Sequence, residues 1–266
     1  MHTFLALLIC SCPFVLPTPR ALGENPQGLV SQAVQVELAA DRNDHSHWIY
    51  FDVDRKPSGA VEQWVAETGS GNLHRILSRK GARQSLDDQR SSMDRFVRDP
   101  EAQARQRKSG RHDDSQSEEL LRLLPTAFSW TAVSTEGPST LLHFAPNPGF
   151  KPPTWESRVF AALEGNMRIN TAQHRIVSLQ GRLIRPVRFC GGICGSLSSG
   201  GTFDVERREL APSIWEIVET HVHIQGTALL FKNISQDEDE TKSRFHRLPG
   251  DISLQQAETN LMQQNT

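Results

Sequence analysis

The chain contains few of the features that identify a functional class directly. Only four of its 266 residues are cysteines, and two of them, Cys10 and Cys12, lie near the N-terminus. A disulfide scaffold of this length would need more. Beyond the N-terminal segment no apolar run reaches the ~18 residues that span a bilayer, which excludes a polytopic membrane protein. Basic residues number 29 against 31 acidic ones, a net charge of −2, so we expect no nucleic-acid partner.

Motifs for catalysis and for cofactors are also absent. The glycine-rich stretch Gly191–Gly201 has no lysine and precedes a strand-like run, so it is neither a Walker loop nor a dinucleotide fingerprint. Gly195–Gly200 lacks the Gly-x-Ser-x-Gly spacing of a hydrolase nucleophile elbow. The acidic run Asp237–Glu240 lacks EF-hand spacing and is typical of a solvated turn. We therefore expect no cofactor and favour a non-enzymatic role.

The N-terminus indicates export. The apolar run Phe4–Leu16 is followed by small residues that end at Gly23, which is the pattern of a secretory signal. The run is preceded by His2 rather than by lysine or arginine, and a disordered N-terminus or a buried apolar segment is the alternative. We expect residues 1–23 to be a signal peptide and the protein to reach the periplasm or cell envelope, where cysteines can oxidise.

Short strand-like runs separated by turns dominate the rest of the chain. Gly28–Asp44 has the apolar spacing of an amphipathic helix, and His47–Val53, Val61–Glu67 and Leu73–Leu77 begin an antiparallel meander. Strand-like runs resume after Thr126, with spacings that suit one antiparallel sheet rather than βαβ units. Because strand twist accumulates, a sheet of about ten strands curls towards a half-barrel.

A helical segment at about residues 84–124 interrupts this pattern. Pro100 divides it into two helices, Arg105–Ser117 is polar enough to be loop or frayed helix, and Glu118–Leu124 is a short helix ended by Pro125. The predicted fold is therefore α+β: a single curled antiparallel sheet (half-barrel) over residues 24–249, with an N-terminal helix and this inserted helical segment. Residues 250–266 form a weakly apolar tail.

Alternation and helical spacing predict which side chains face the core or a ligand. Met93, Phe96 and Val97 share one stripe of a helix, while His221 and His223 lie on the face of their strand opposite to its apolar residues. The candidate residues for the core or for ligand contact are Met93, Phe96, Val97, Val177, Leu179, Val222 and Ile224.

One segment resembles a known hairpin. Glu164–Gly181 contains Gly-Asn-Met-Arg-Ile-Asn, a turn, and Ile-Val-Ser-Leu-Gln-Gly. It resembles a hairpin of the outer-membrane lipoprotein-sorting proteins of the LolA and LolB type, with Asn170 where that hairpin usually has aspartate. The resemblance covers one hairpin and implies a half-barrel that holds acyl chains in an apolar concavity under a helical lid.

Most of the chain after residue 23 is similar to a group of uncharacterised exported proteins of Acidobacteria-type bacteria. The blocks that carry this similarity are Asp44–Trp48, Pro146–Pro153, Gly200–Phe203 and Ala228–Lys232. This second resemblance implies export and adds no known activity.

Two cysteines form the most distinctive local motif. Cys190 and Cys194 flank Gly-Gly-Ile, which lets the backbone fold tightly enough for the sulfurs to meet. In an oxidising compartment this favours a small disulfide loop, and buried free thiols are the alternative. A redox pair would more usually have Cys-x-x-Cys at a helix start, and a zinc knuckle needs a second ligand pair.

Two His-x-His pairs suggest a metal site. His45 and His47, and likewise His221 and His223, project from one face of a strand roughly 7 Å apart. If their strands were neighbours, four imidazoles would converge on zinc or copper. Solvated histidines on an outer strand face are the commoner arrangement.

The segment Asn72–Arg111 is locally basic, with eleven lysines and arginines against five acids. Through Arg75–Arg111 the protein could contact an anionic membrane surface, and a solubilising helix surface is the alternative.

Together these observations favour a non-enzymatic cell-envelope protein that binds or carries a lipid, a lipoprotein acyl chain or another apolar ligand. The alternative is a structural or protein-interaction component whose concavity is filled by its own side chains. A metal-binding protein or hydrolase that uses the His-x-His pairs ranks third.

Overall fold

The fold is built on one large antiparallel sheet and five helices. The computed structural model describes residues 25–189, 195–228 and 236–265. The strands are β1 (His47–Lys56), β2 (Gly59–Ala66), β3 (Leu73–Arg79), β4 (Ala82–Arg83), β5 (Phe128–Glu136), β6 (Ser139–Pro146), β7 (Leu163–Asn170), β8 (Arg175–Leu183), β9 (Val187–Phe189), β10 (Gly195–Leu197), β11 (Thr202–Ala211), β12 (Ile214–Ile224), β13 (Gly226–Ala228) and β14 (Gln236–Leu248). The helices are α1 (Pro26–Asn43), α2 (Leu86–Val97), α3 (Pro100–Ala127), α4 (Trp155–Phe160) and α5 (Leu254–Gln263).

Eleven strands form the main sheet in the order β4-β3-β2-β1-β14-β12-β11-β8-β7-β6-β5, and β13-β10-β9 form a small second sheet. Every neighbouring pair of the main sheet is antiparallel. Within the described residues the edge strands β4 and β5 do not pair with each other, so the sheet is open. The N-terminal α1, and the helices α2 and α3 inserted between β4 and β5, confirm the predicted α+β architecture.

The two faces of the sheet carry different helices. On one face, which we call the α1 face, α1 and α3 pack over β5 to β8 around buried residues that include Phe144, Met167 and Ile169. On the opposite face, the α5 face, α2 and α5 cover β1 to β3 and bury Trp64 and Met93. The strands are therefore covered on different sides at the two ends of the sheet.

The sheet curls towards the α1 face. Leu210 and Ile214, at the end of the β11–β12 hairpin, pack against Trp48 and Tyr50 of β1. In the sheet β14 separates β1 from β12, so this contact requires the hairpin to bend over its neighbour. The bend agrees with the accumulation of strand twist across a wide sheet.

Two paired glycines permit β7 and β8 to approach closely, in the half of the sheet that ends at β5. Gly165 of β7 is the direct partner of Gly181 of β8. A Cβ atom on Gly165 would lie 2.0 Å from the carbonyl oxygen of Gln180, and one on Gly181 would lie 2.7 Å from that of Glu164. A side chain at either position would push the two strands apart.

α3 is one continuous helix of 28 residues. The expectation of loop or frayed helix over Arg105–Ser117, with a separate short helix ended by Pro125, is wrong. Pro125 lies in the last turn, where its missing N–H removes a single helix bond. The middle of α3 is polar because the helix bridges the two cores and stays solvated on most sides. Near its start, the Gln106 side chain accepts a bond from the Asn72 N–H at 2.7 Å and donates to the Asn72 carbonyl.

The C-terminal segment is a helix rather than a tail. Ser253 begins α5 with a capping box, and Leu254, Ala257 and Leu261 are buried against the α5 face. Arg75, only 3% exposed on β3, donates to the carbonyl oxygens of Leu261 at 2.7 Å and Gln264 at 2.9 Å. The guanidinium thereby satisfies carbonyl groups that the end of the helix leaves unpaired.

Candidate functional site

The candidate site is a cleft of about 470 Å³ on the α1 face, between α1, α3 and strands β8, β11 and β12. We call it the α1 cleft. Its apolar floor is formed by side chains from both helices and all three strands: Leu38, Leu121, Ile176, Leu179, Val205, Trp215 and Ile217. Ile217 is 40% exposed, although large apolar side chains are usually buried.

A buried carboxylate fixes α1 beside this floor. Glu37, on the buried stripe of α1, accepts from Arg175 Nη2 at 3.0 Å, from Arg207 Nη1 at 2.7 Å and from the Ile176 N–H at 2.7 Å. The two guanidinium groups also donate to the carbonyl oxygens of Ser213 and Trp215. The arginines are thus bound by the protein itself, and their charge is matched in part by Glu37.

The rim of the cleft carries four carboxylates that lack a basic partner among the described residues. Asp41 and Asp44 come from the end of α1, Asp114 from α3 and Glu216 from β12. Among the ion pairs of the described residues, none involves any of these four. Burial raises the pKa of Glu216, and the charge of Asp44 raises it further. Burial also raises the pKa of Asp114, with the nearby charge of Asp41 adding to the effect.

Glu67 extends this acidic surface towards β1. Its Oε2 accepts from the Trp48 N–H at 2.9 Å. Burial raises the pKa of Glu67 to about 7, and the charges of Glu216 and Asp44 contribute in the same direction. Near neutral pH this carboxyl group is therefore partly protonated.

Beyond the cleft, the α1 face over β1 and β14 is charged. The six residues of this charged strip are Asp52, Asp54, Lys56, Glu238, Glu240 and Lys242. Lys56 pairs with Asp54 at 2.8 Å and with Glu238 at 2.9 Å, and Lys242 pairs with Glu240 at 3.4 Å. The apolar floor of the cleft is therefore bounded by polar surface on this side.

Asp52 is the most deeply buried member of the strip, at 3% exposure. Its Oδ2 accepts from Gln63 Nε2 at 2.7 Å, while Oδ1 has no hydrogen-bond partner in the described part of the chain. Burial raises the pKa of Asp52 to about 6, although the bond from Gln63 acts in the opposite direction.

The predicted apolar residues divide between the cleft and the cores. Leu179 lies in the floor of the cleft, and Ile224 packs partly buried against the core under α1. Val222 is only partly buried. Ile176 rather than Val177 joins the core, because a register shift between β7 and β8 breaks the alternation at that point.

The predicted stripe of α2 belongs to a core instead of a ligand site. Met93 is fully buried, and Phe96 and Val97 pack partly buried beside it on the α5 face. Leu86, at the start of the same helix, is 56% exposed. Of the helices that the sequence places against the sheet, α1 and α3 line the cleft and α2 does not.

The structure does not bring the two His-x-His pairs together. His47 and His221 both lie on strands next to β14, but at different positions along it. His47 pairs with Leu248 of β14, at the start of β1. His221 pairs with Asp239, which is also the partner of Arg55 at the far end of β1. His221 Nδ1 lies 2.6 Å from Asp239 Oδ1 and His223 Nδ1 lies 2.7 Å from Asp237 Oδ1. The hydrogen bond with Asp239 raises the pKa of His221.

The metal hypothesis gains no geometric support. His45 belongs to the same N-terminal pair as His47 and lies just before β1. Over residues 25–189, 195–228 and 236–265, no group of three or more histidine, cysteine or acidic side chains is placed to hold a metal ion.

Two other predicted features have different outcomes. Cys190, Cys194 and the predicted signal peptide, residues 1–23, lie outside the described residues. Within the basic segment, Arg75 is buried under α5, and Arg98 and Arg105 pair with acids of their own helices or helix cap. The exposed basic side chains of the β3–β4 turn are Arg79, Lys80 and Arg83.

Sequence reasoning missed Glu37, Arg175 and Arg207, which position the helix at the cleft. One signal was available: Glu37 falls on the same helical stripe as the core residues Val30, Ala33 and Val34. A glutamate at a core position requires a buried cation or donor.

Comparison of the chain with protein-family models, with curated proteins and with solved structures finds no match. None of the helices in the described ranges is both long and apolar enough to cross a membrane.

Proposed function

We propose that this is an exported, non-enzymatic protein of the cell envelope that binds a lipid or another ligand with an apolar chain in the α1 cleft. The observation that carries the proposal is the apolar floor, which stays open to solvent between the core under α1 and the charged strip over β1 and β14. A volume of about 470 Å³ is within the range of small-molecule sites, ~300–1,000 Å³.

The chemistry of the lining supports binding. Arg175 and Arg207 already donate to Glu37 and to main-chain carbonyls, so they offer little to an incoming anion. Leu179, Val205 and Ile217 offer apolar contact, which stabilises a bound chain in proportion to the area removed from water. An acyl or alkyl chain is the ligand chemistry that this floor suits best.

The position of the cleft supports a site that can take up and release a ligand. It opens between α1, which Glu37 anchors to the sheet, and the polar part of α3. A ligand that enters there contacts two helices and three strands without disturbing the core beneath α1. The exposed basic turn at Arg79, Lys80 and Arg83 is a candidate contact with anionic headgroups during such exchange.

Displacement of a fluorescent apolar dye by decanol tests the proposal. We expect the wild-type protein to bind both, and Ile217→Glu to weaken decanol binding by about tenfold, because a carboxylate then lies on the apolar floor. Val133→Glu is the matched control, since Val133 is a β-branched residue that is 58% exposed on edge strand β5, away from the cleft.

Equal thermal unfolding of the two variants would show that the loss is local. The proposal fails if the wild-type protein binds no alkyl probe, or if both substitutions weaken binding equally. Either result would favour the alternative function, a structural or protein-interaction component of the envelope. The specific observation that favours it is that the core under α1 and α3 fills the concave side of β5 to β8.

A further inference from the structure

We propose that the α1 cleft selects a cationic amphiphile, an alkyl or acyl chain that carries an ammonium group, with the chain on the apolar floor and the ammonium group among the rim carboxylates. This inference rests on the proposed function and adds the charge of the ligand to it.

The charge of the lining is the first step. Six carboxylates line the cleft, from Glu37, Asp41, Asp44, Asp114, Glu118 and Glu216, against two guanidinium groups, from Arg175 and Arg207. The whole chain, by comparison, has a net charge of only −2. A concave surface with one sign of charge and an apolar wall concentrates its field on whatever enters.

The availability of these charges is the second step. Both arginines are engaged by Glu37, and Glu118 pairs with Arg122 on its own helix. The other four carboxylates, the rim set of Asp41, Asp44, Asp114 and Glu216, have no ion pair in the described part of the chain. Burial is the main cause of the raised pKa values of Asp114 and Glu216, and repulsion from Asp41 and from Asp44, respectively, adds to it. A bound cation would relieve this repulsion.

The arrangement of floor and rim is the third step, and it is independent of the charges. Leu179 and Val205 lie on the strands, while Asp41 and Asp114 lie on the helices that face them. A ligand that satisfies both surfaces needs an apolar part and a positive part. A simple metal ion satisfies only the rim, and no three-ligand metal geometry exists in the described ranges.

Three probes with the same chain length separate charge from apolar contact: decylammonium, decanol and decanoate. At low ionic strength we expect decylammonium to bind about tenfold more tightly than decanol, and decanoate more weakly than decanol. At 0.5 M sodium chloride the difference between decylammonium and decanol should shrink, because salt screens exposed charges.

A triple variant, Asp41→Asn with Asp44→Asn and Glu216→Gln, tests whether the rim is responsible. We expect it to bind decylammonium and decanol equally, with decanol affinity unchanged. Its control removes three exposed acids that lie outside the cleft: Glu62→Gln, Glu136→Gln and Asp251→Asn. This control has the same net charge and should keep the preference.

The outcomes separate the two proposals. If the three probes bind the wild-type protein equally, or the rim variant keeps its preference, the cationic selectivity is wrong and apolar binding stands. If the control triple variant loses the preference as the rim variant does, net charge rather than the rim is responsible, and the inference is also overturned. If no probe binds at all, the proposed function itself fails.

Discussion

At the scale of single residues, Glu37 decides where α1 lies. Its carboxylate bonds two arginines and one main-chain N–H beneath the helix, with its side chain 7% exposed. Removal of one member of such a buried set leaves the remaining charges without compensation, which costs more than a surface ion pair contributes.

We expect Glu37→Ala to lower the free energy of unfolding by roughly 3–5 kcal/mol, because Arg175 and Arg207 then stay buried without a counter-charge. Glu118→Ala, which removes an exposed i,i+4 pair with Arg122 on α3, should cost less than about 1 kcal/mol. Urea unfolding followed by circular dichroism measures both. Similar losses in the two variants would contradict the role of Glu37.

The burial of Asp52 makes stability depend on pH. The pKa of Asp52 is about 6 in the folded protein, against an ordinary 3.8, so the folded state binds more protons between these values. Stability should therefore fall as the pH rises through this window. We expect Asp52→Asn to be more stable than wild type by about 3 kcal/mol at pH 7.5, since one pKa unit corresponds to about 1.4 kcal/mol.

At pH 2.5, below both pKa values, the carboxyl group is protonated in both states, so Asp52→Asn and wild type should then unfold at similar urea concentrations. Glu62→Gln, which removes an exposed carboxylate on the neighbouring strand β2, serves as the control. A constant difference between Asp52→Asn and wild type at both pH values would show that the effect is not electrostatic.

Residue patterns predicted some side chains and not others for a physical reason. Leu179 lies at the floor of the cleft because regular alternation continues through the middle of β8. Val177 lies outside the core because of the register shift next to it, which has no signature in one sequence. The distance between His47 and His221 depends on which strands pair across the chain, and local spacing does not encode that.

At the scale of elements, α3 shows how long-range packing overrides local composition. Its middle looks like loop because it is polar, yet it is helical from Pro100 to Ala127. The capping residue Asp99, whose side chain accepts from the Ala102 N–H at 2.8 Å, and the pair of Glu101 with Arg105 support its start.

Gly110, in the middle of α3, provides a test of this continuity. Nothing lies within 4 Å of a Cβ built at this position. We expect Gly110→Ala to stabilise the protein by about 1 kcal/mol and Gly110→Pro to destabilise it by about 3 kcal/mol or more, as in other helix interiors. Denaturant midpoints measure both, and a neutral result for each would indicate that the segment is not helical.

Most strands were predictable because their alternation is regular and their turns contain glycine, proline or asparagine. The helix α5 was missed because its segment is rich in glutamine. Its few apolar residues, Leu254, Ala257 and Leu261, are nevertheless spaced as a helical stripe. The short helix α4 was also not predicted, although Thr154 and Ser157 form a capping box at its start.

At the scale of the whole molecule, the two cores share one sheet and should unfold together. Leu261 is fully buried under the α5 face, and the core of α1 lies at the other end of the sheet. We expect Leu261→Ala to cost about 2–5 kcal/mol and to lower protection from hydrogen exchange in β7 as well as in β3.

Gln263→Ala, an exposed position on the same helix, is the control and should change neither strand. Loss of protection in β3 alone, with β7 unaffected, would show that the two ends of the sheet are separate cooperative units.

The sequence alone predicts the class of the molecule and the openness of its sheet, but not the position of the candidate site. The cleft exists because α1 and α3 cover β8, β11 and β12, and those contacts join residues far apart in the chain. The charged rim is not predictable from the sequence either, because Asp41, Asp114 and Glu216 belong to separate segments and come together only after folding.

The pairing of β1 with β14 also sets the order in which the chain can fold. The first strand of the sheet needs the last one as its neighbour, and the Trp64 indole N–H donates to the carbonyl oxygen of Asn265, 201 positions later. Folds dominated by such distant contacts form slowly. During synthesis β1 therefore has an open edge until the C-terminal residues emerge, and an open edge can pair with other chains.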